Sequence, residues 1–352
     1  MRAFVTTGPS APLELREVDD PTPTGSQVFL AVRHSGVCHS DTHVHAGSYD
    51  AGSKGELSMA QRGLEYPAVH GHEMVGEVVA VGPDVRTVKP GDLRLVYPWL
   101  GCGECLRCTA GNTNLCRKGR ALGIIQWGGF ADHVLVPDEE FLIDIDGLDP
   151  AWAATLACSG LTSFSAVHQV LPVEADEAVA VIGTGGVGLM AVALLSQLTD
   201  AEVIAVDVDD SRLQIARELG ADRVVNSTAL EEGATLDVLA GRPVAAVIDF
   251  VNTGATFDLG FSSLDKGGHL VSIGLFGGEA AVPTVMLPLK VITVTGSYVG
   301  TLQQLRDLVE FARSHELPKV PIIERPLNLQ EAQRGLDDLN AGTVQGRIVL
   351  AG

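Results

Sequence analysis

The sequence predicts an α/β protein of two domains, one of them built on a doubly wound parallel sheet. Its 352 residues exceed one ordinary core and suit two domains of roughly 150 residues each. An apolar run, AVAVIG at 178–183, leads through a glycine-rich turn into the apolar helix-like stretch GLMAVALLSQL, as a buried parallel strand followed by its crossover helix does. Beyond it EVIAVD, RVVN, VAAVIDF, GHLVSIG and VITVT read as strands, with stretches such as DSRLQIARELG reading as helices between them. That alternation is the signature of a doubly wound sheet.

The glycines of the turn, Gly183, Gly185, Gly186 and Gly188, form a GxGGxG pattern between strand and helix. Glycine there permits a tight turn and lets a pyrophosphate approach the helix N-terminus. The pattern alone is weak. About 20 residues on, the next strand ends in Asp207, a carboxylate suited to an adenosine ribose and repulsive toward a 2′-phosphate. NAD is therefore expected rather than NADP.

Four of the six cysteines lie in GCGECLRCTAGNTNLC, residues 101–116. Cys102, Cys105, Cys108 and Cys116 have the spacing of a knuckle whose thiolates can take the corners of a tetrahedron about 2.3 Å from zinc. Free thiols and an iron–sulfur cluster are the alternatives, although this is not a familiar ferredoxin spacing. Four thiolates close the coordination shell, so the expected ion is structural. The other two cysteines, Cys38 in GVCHSDTHVH and Cys158 in LACSGLTSF, flank His72 of GHEMVGEVVAVG. Two thiolates and one imidazole leave a fourth position open, the arrangement of a catalytic zinc.

Composition excludes several classes. A formal net charge of −20 repels phosphate backbones and anionic lipid, which argues against nucleic acid and membrane as partners. No apolar run reaches the roughly 18–20 residues of a membrane span, and MRAFVTTGPSAPLEL lacks the pattern of a signal peptide, so a cytoplasmic protein is expected.

Taken together these motifs resemble the zinc-dependent medium-chain alcohol dehydrogenases, and the likeness runs from the opening MRAFV to the closing QGRIVL. The resemblance implies a GroES-like, partly open β-barrel catalytic domain made of residues 1–159 and 300–352, carrying the 101–116 zinc loop. It implies a Rossmann NAD-binding domain over 160–299, with the active site in the cleft between the two. It assigns a catalytic zinc to Cys38, His72 and Cys158, with Glu73 a carboxylate able to approach the metal, and thus two zinc ions per chain. Ser40 matches the hydroxyl that bonds the substrate alcohol, His43 the outer end of the proton relay, and Asp41 the carboxylate that orients the ligand histidine. His39 matches a cofactor-phosphate position, Thr162 a nicotinamide contact, Arg212 a basic residue near the adenosine, and Arg347 a pyrophosphate contact.

The activity so implied is reversible, NAD-linked oxidation of a small-molecule alcohol to an aldehyde or ketone. Primary alcohols, aliphatic or aromatic, and ω-hydroxy acids are the expected substrates, with formaldehyde and polyols still open. A homo-oligomer, tetramer or dimer, is implied by analogy, with the VITVTGSYVG edge continuing a sheet across a dimer axis. Quinone- or enone-reductase-like relatives without catalytic zinc would normally lack Cys38 and Cys158. A noncatalytic zinc- and dinucleotide-binding module would have no use for Ser40 and His43. Residues 47–67 form a longer connection than a minimal barrel needs, with a short helix expected in ELSMAQRGL and Leu57, Met59 and Leu64 turned inward. For this connection, together with Tyr97 and Trp99, lining of the substrate channel and plain packing are equal alternatives. Among the remaining histidines only His45, on the Cys38 loop, is a candidate for function.

Overall fold

The structure, a computed structural model, describes residues 1–231 and 233–352. Its central sheet has six parallel strands in the spatial order Arg223–Asn226, Glu202–Asp207, Ala178–Ile182, Val244–Asp249, Leu264–Ser272 and Thr293–Gly296. In chain order that is 3-2-1-4-5-6, so the winding reverses between the first and fourth strands. The reversal opens a crevice at their carboxyl ends, where open α/β sheets bind ligands. Every residue of Ala178–Ile182 is buried, as a strand covered by helices on both faces requires.

A second sheet forms around the ten-residue strand Val28–Val37. It pairs antiparallel with Glu73–Val81 on one side and with Arg347–Ala351 on the other, and Ile322–Pro326 joins Arg347–Ala351 in parallel. The last part of the chain thus completes a sheet begun by the first. Register sets what meets at one end of this sheet. Gly36 stands opposite both Glu73 and Val349, which brings Cys38, His72 and Arg347 to neighbouring strand ends.

The chain passes between the two sheets through one unbroken helical run, Pro150–Thr155, then a π-turn Leu156–Gly160, then Leu161–Val170. Asp149 caps its start by accepting from the Trp152 amide at 2.8 Å, with Pro150 at the first helical position. The π-turn carries Cys158; single π-turns inside α-helices are frequent at functional sites. The chain returns past Val299, a β-branched residue at φ 46°, into the helix Leu302–Ser314. That costly conformation lies on the wall of the cleft, and the Tyr97 hydroxyl fastens the next residue by donating to the Gly300 carbonyl at 2.9 Å. One buried apolar cluster runs from Cys38, Tyr97 and Trp99 through this helical run to Val179 and Val181.

One open choice is decided and one local expectation needs correction. Tyr97 is fully buried and packs against the return of the chain, whereas Trp99 lines the cleft. ELSMAQRGL is not one helix: Glu56–Ser58 pairs with Ser48–Asp50 in a hairpin, and a 3₁₀ turn follows at Ala60–Arg62. Leu57 is 42% exposed on the wall of the cleft, while Met59 and Leu64 are buried as expected. Among the described residues no helix is long and apolar enough to cross a membrane.

Candidate metal and dinucleotide sites

The helix His39–Ala46 opens directly from the strand Val28–Val37, with Cys38 as its N-cap and Asp41 in its first turn. Asp41 is wholly buried and accepts from the Cys38 and Gly71 amides at 2.8 and 3.1 Å. Its Oδ1 also takes the His72 Nδ1 proton at 3.0 Å. That bond fixes the ring tautomer and leaves Nε2 facing away from the carboxylate. His72 Nε2 is buried with no hydrogen-bond partner, and it converges with the sulfurs of Cys38 and Cys158, all three ligand atoms lying within 4.8 Å of one another.

An orphaned imidazole nitrogen between two buried sulfurs costs free energy unless something electrophilic sits among them. The two sulfurs are 3.9 Å apart, and sulfurs bound at about 2.3 Å on tetrahedral corners stand about 3.8 Å apart, so the residues fit zinc. The Cys38 thiol is pushed well down, chiefly by the hydrogen bond from Cys158, which makes it the first thiolate of the pair.

The four-cysteine loop passes the same test. Cys102, Cys105, Cys108 and Cys116 lie within 4.8 Å of one another, with sulfur separations of 3.9, 3.5 and 3.9 Å along 102–108, 105–108 and 105–116. Amides of Cys102 and Lys118 point at the Cys116 sulfur, both at 3.4 Å, as donors to a thiolate do. Gly101 is forced by packing, since a Cβ there would come 2.4 Å from the Cys108 sulfur.

Three residues expected to act around the first centre line one cleft of about 1100 Å³: Ser40, His43 and Thr162. Ser40 and His43 are three apart on one helix and so share a face. Burial, with some help from His39, holds the His43 imidazole below the usual 6.5, so the ring is neutral at pH 7. His39 lies between this cleft and a second cavity of about 940 Å³, and lines both.

The second cavity is built on the glycine turn. A Cβ on Gly188 would fall 1.8 Å from the Gly183 carbonyl oxygen, and Gly183 itself has φ +87°. Those two glycines are there for the turn and for helix–strand packing. Gly186 would drive a Cβ into Arg347 at 2.2 Å, whereas Gly185, the N-cap of the helix Gly186–Leu198, has nothing within 4 Å. Gly185 therefore presents bare backbone to the cavity, which fits a pyrophosphate at the helix N-terminus. Asp207 lines the same cavity, but its carboxylate already accepts from the Thr184 amide and hydroxyl at 2.6 and 3.0 Å and from the Val208 and Asp209 amides at 2.8 and 3.1 Å. Of these only the Thr184 hydroxyl can rotate away to admit a ribose.

Both arginines expected at the cofactor line this cavity and both have protein partners. Arg212 donates to the Gly342 carbonyl. Arg347 is 4% exposed and pairs with Glu73, which is fully buried. The expectations did not foresee this pair: the carboxylate of Glu73 faces a guanidinium, and the guanidinium of Arg347, while lining the cavity, has that carboxylate as its charged partner. The physical reason is that neither charge tolerates burial alone. Gly36 makes the room, since a Cβ there would stand 2.1 Å from the Glu73 carboxylate. His45 Nε2 donates to the Ala11 carbonyl at 2.8 Å, an ordinary packing role.

Sequence reasoning missed Phe276. Phe276 packs on His39 and His43, ring centroids 4.7 and 6.4 Å away, from a loop of the parallel-sheet region. Nothing near it in sequence marks it out.

Comparisons with known proteins agree with this geometry. A family model described as zinc-binding dehydrogenase matches residues 186–314, and one described as alcohol dehydrogenase GroES-like domain matches residues 24–146. An NAD-dependent alcohol dehydrogenase of Sulfurisphaera tokodaii is 33% identical, with 99% of each chain covered. The crystal structure of the alcohol dehydrogenase from Aeropyrum pernix superposes with a TM-score of 0.90 at 30% identity, all of both chains covered. An acetophenone reductase from Geotrichum candidum, solved with NAD, gives 0.85 at 28% identity over 100% of this chain and 97% of that one. The chain belongs to the zinc-dependent medium-chain alcohol dehydrogenases and is an enzyme of that family, with its GroES-like and Rossmann folds.

Proposed function

We propose that the chain oxidises a primary alcohol to its aldehyde, reversibly, with NAD and two zinc ions per chain. The observation that carries this reading is the orphaned Nε2 of His72 between the Cys38 and Cys158 sulfurs, at the wall of a cleft that adjoins the glycine cradle. Cys38, His72 and Cys158 would hold one zinc with a position left for substrate, and the four-cysteine loop would close around the other. Bound zinc would act as a Lewis acid toward the alcohol oxygen, and bound NAD would accept the hydride.

The chain's own groups do the rest. Ser40 accepts the hydroxyl proton by hydrogen bond, and His43, one helical turn on, passes it toward solvent. Asp41 keeps His72 in the tautomer that presents Nε2. Backbone amides behind Gly185 would hold the pyrophosphate of NAD, with His39, Arg212 and Arg347 lining the same cavity, and Thr162 would meet the nicotinamide from the adjoining cleft. Asp207 selects NAD by repelling a 2′-phosphate, and the name of the Sulfurisphaera relative supports that choice. The domain crossings fall near residues 159 and 299, inside the helical run and at the strained Val299. The protein works in the cytoplasm as a homo-oligomer.

The test is metal analysis followed by NADH appearance with a panel of alcohols. Two zincs per chain and NAD-dependent turnover are expected; one zinc without turnover defeats the reading. A pH profile adds a second check. His43 acts as a proton acceptor only when neutral, and burial lowers its pKa, so the acid limb of kcat/KM should lie below pH 6.5. His43→Gln should remove that limb while both zincs remain.

A further inference from the structure

The return crossing is held in a conformation that its sequence does not favour. Val299 is β-branched, 6% exposed and set at φ 46°, and such a residue persists only where its surroundings over-determine it. Both ends of the stretch are anchored. The Ser297 amide donates to the Ser272 carbonyl at 3.0 Å, at the end of the parallel sheet, and the Thr301 hydroxyl caps the helix Leu302–Ser314 by accepting from the Gln304 amide at 3.1 Å. Between them Gly300 is pressed on the helical run that carries Cys158, since a Cβ there would stand 2.5 Å from Leu161 Cδ1.

The carbonyls on either side of Val299 are held from another part of the chain. The Tyr298 carbonyl accepts from Asn114 Nδ2 at 3.0 Å, and the Gly300 carbonyl accepts from the Tyr97 hydroxyl at 2.9 Å. With its one proton so used, Tyr97 accepts from the Thr113 hydroxyl, 3.2 Å away. Thr113 and Asn114 belong to the 3₁₀ turn Thr113–Leu115, which leads straight into Cys116. Gly101 packs under the same turn, where a Cβ would meet Thr113 Cβ at 3.3 Å as well as the Cys108 sulfur. The strained residue is therefore bracketed by two bonds that the four-cysteine loop makes or supports. Tyr298 and Val299 both line the cleft, and the Tyr298 ring lies 5.8 Å from Trp99, which itself stands 5.4 Å from the His72 ring. Trp99 is fixed by its own bond to the Ala157 carbonyl at 2.9 Å. The place of Tyr298 depends on the crossing.

We infer that the four-cysteine loop positions the wall of the reaction cleft as well as stapling the fold: Asn114, and Tyr97 supported by Thr113, hold Val299 in its left-handed conformation and so fix Tyr298 and Val299 where the alcohol binds. The inference rests on the reading of this cleft as the alcohol's. Valine at 299 is what makes the two bonds necessary. Released from either one, a β-branched residue returns to negative φ, and the peptide planes on both sides turn with it. The Tyr298 ring then leaves Trp99, and the alcohol loses one side of its pocket. Asn114 suits the task because its amide has protons to donate, whereas an ionised aspartate of the same shape has none.

The test is Asn114→Asp, which keeps the volume and removes the donor, with Tyr97→Phe as a second variant that changes no residue of the loop. In each, both zincs should remain, and the amides of peptide 293–301 should exchange hydrogen about tenfold faster while peptide 101–116 exchanges as in the wild type. KM for n-hexanol at saturating NAD should rise about 5- to 30-fold. Glycine at 299 removes the drive toward negative φ, so in a Val299→Gly background Asn114→Asp should raise that KM less than about threefold. Equal effects with valine and with glycine at 299 overturn the inference, since Asn114 would then not act through the crossing. Faster exchange with an unchanged KM overturns it too, the wall then having no part in binding the alcohol. If Asn114→Asp loses zinc, Tyr97→Phe decides, and zinc lost from both assigns the two residues to the fold of the metal loop and overturns the inference. Absence of NADH from every alcohol in the wild type defeats the underlying activity instead, and is told apart because the exchange of peptide 293–301 still responds to the variants.

Discussion

His72→Ala is expected to lower zinc from the proposed two per chain to one, and to lower turnover by about a thousandfold or more. The imidazole contributes one of three ligand atoms that lie within 4.8 Å of one another, and no other described histidine can replace it there. Cys38 and Cys158 alone would offer two sulfurs 3.9 Å apart, too few donors to retain the ion against solvent. A Lewis acid supplies several kcal/mol to such a reaction, and each 1.4 kcal/mol or so is tenfold in rate. The variant also strands Asp41, which keeps the Cys38 and Gly71 amides but loses its imidazole partner. Melting should therefore fall as well, and the remaining zinc guards against mistaking unfolding for loss of a ligand. Cys108→Ser is the complementary variant: it should remove the other zinc and lower stability, with the catalytic ion retained in whatever fraction folds. Two zincs in His72→Ala would show that the imidazole is not a ligand.

Much of this site is legible in the sequence because it is local chemistry. The four-cysteine loop declares itself by spacing, and the sulfurs meet as that spacing requires. The glycine turn is equally local, and the parallel order around it follows from the alternation of apolar runs with helical stretches. Asp41 and His72, 31 residues apart, are harder, and only the resemblance to a family pairs them in advance. What escapes reading depends on strand register and loop approach. Glu73 and Arg347 are separated by 274 residues and meet because Gly36 stands between their strands. Neither residue carries a sign of its partner. Phe276 comes from a segment that looks like a surface loop, and only the closing of the cleft gives it neighbours. The hairpin at 48–58 was hidden for a different reason: its apolar residues are too few to distinguish a strand period from a helical one.

Removing one member of the buried pair should cost far more than removing both. Arg347→Leu leaves Glu73, wholly buried, facing an apolar side chain, and breaking such a pair costs about 3–5 kcal/mol. The loss should depend on pH in a defined direction. Burial already pushes the Glu73 carboxyl up to about 7 against the downward pull of Arg347, so without the guanidinium it rises further. A carboxyl whose folded pKa exceeds its unfolded value binds more protons in the native state, so stability falls as pH rises from about 4.5 through the folded value. The variant should thus be closest to wild type near pH 5 and most damaged near pH 8, where the buried carboxyl must either ionise in an apolar site or hold its proton against the solvent's pH. Glu73→Gln with Arg347→Met supplies a neutral amide and an apolar chain of similar reach, and should recover most of the lost stability at pH 8. Denaturant midpoints across pH 5–8 for the wild type, the single variant and the double variant decide it. Equal loss at both pH values in Arg347→Leu would mean that the cavity left by the side chain, rather than the uncompensated charge, governs the effect. In the double variant, stability and activity can then separate: the pair's charges are dispensable for the fold, whereas the cavity built on the glycine turn has lost the guanidinium that lines it in the wild type. A folded double variant with a raised KM for NAD would show that this ion pair serves the cofactor more than it serves the core.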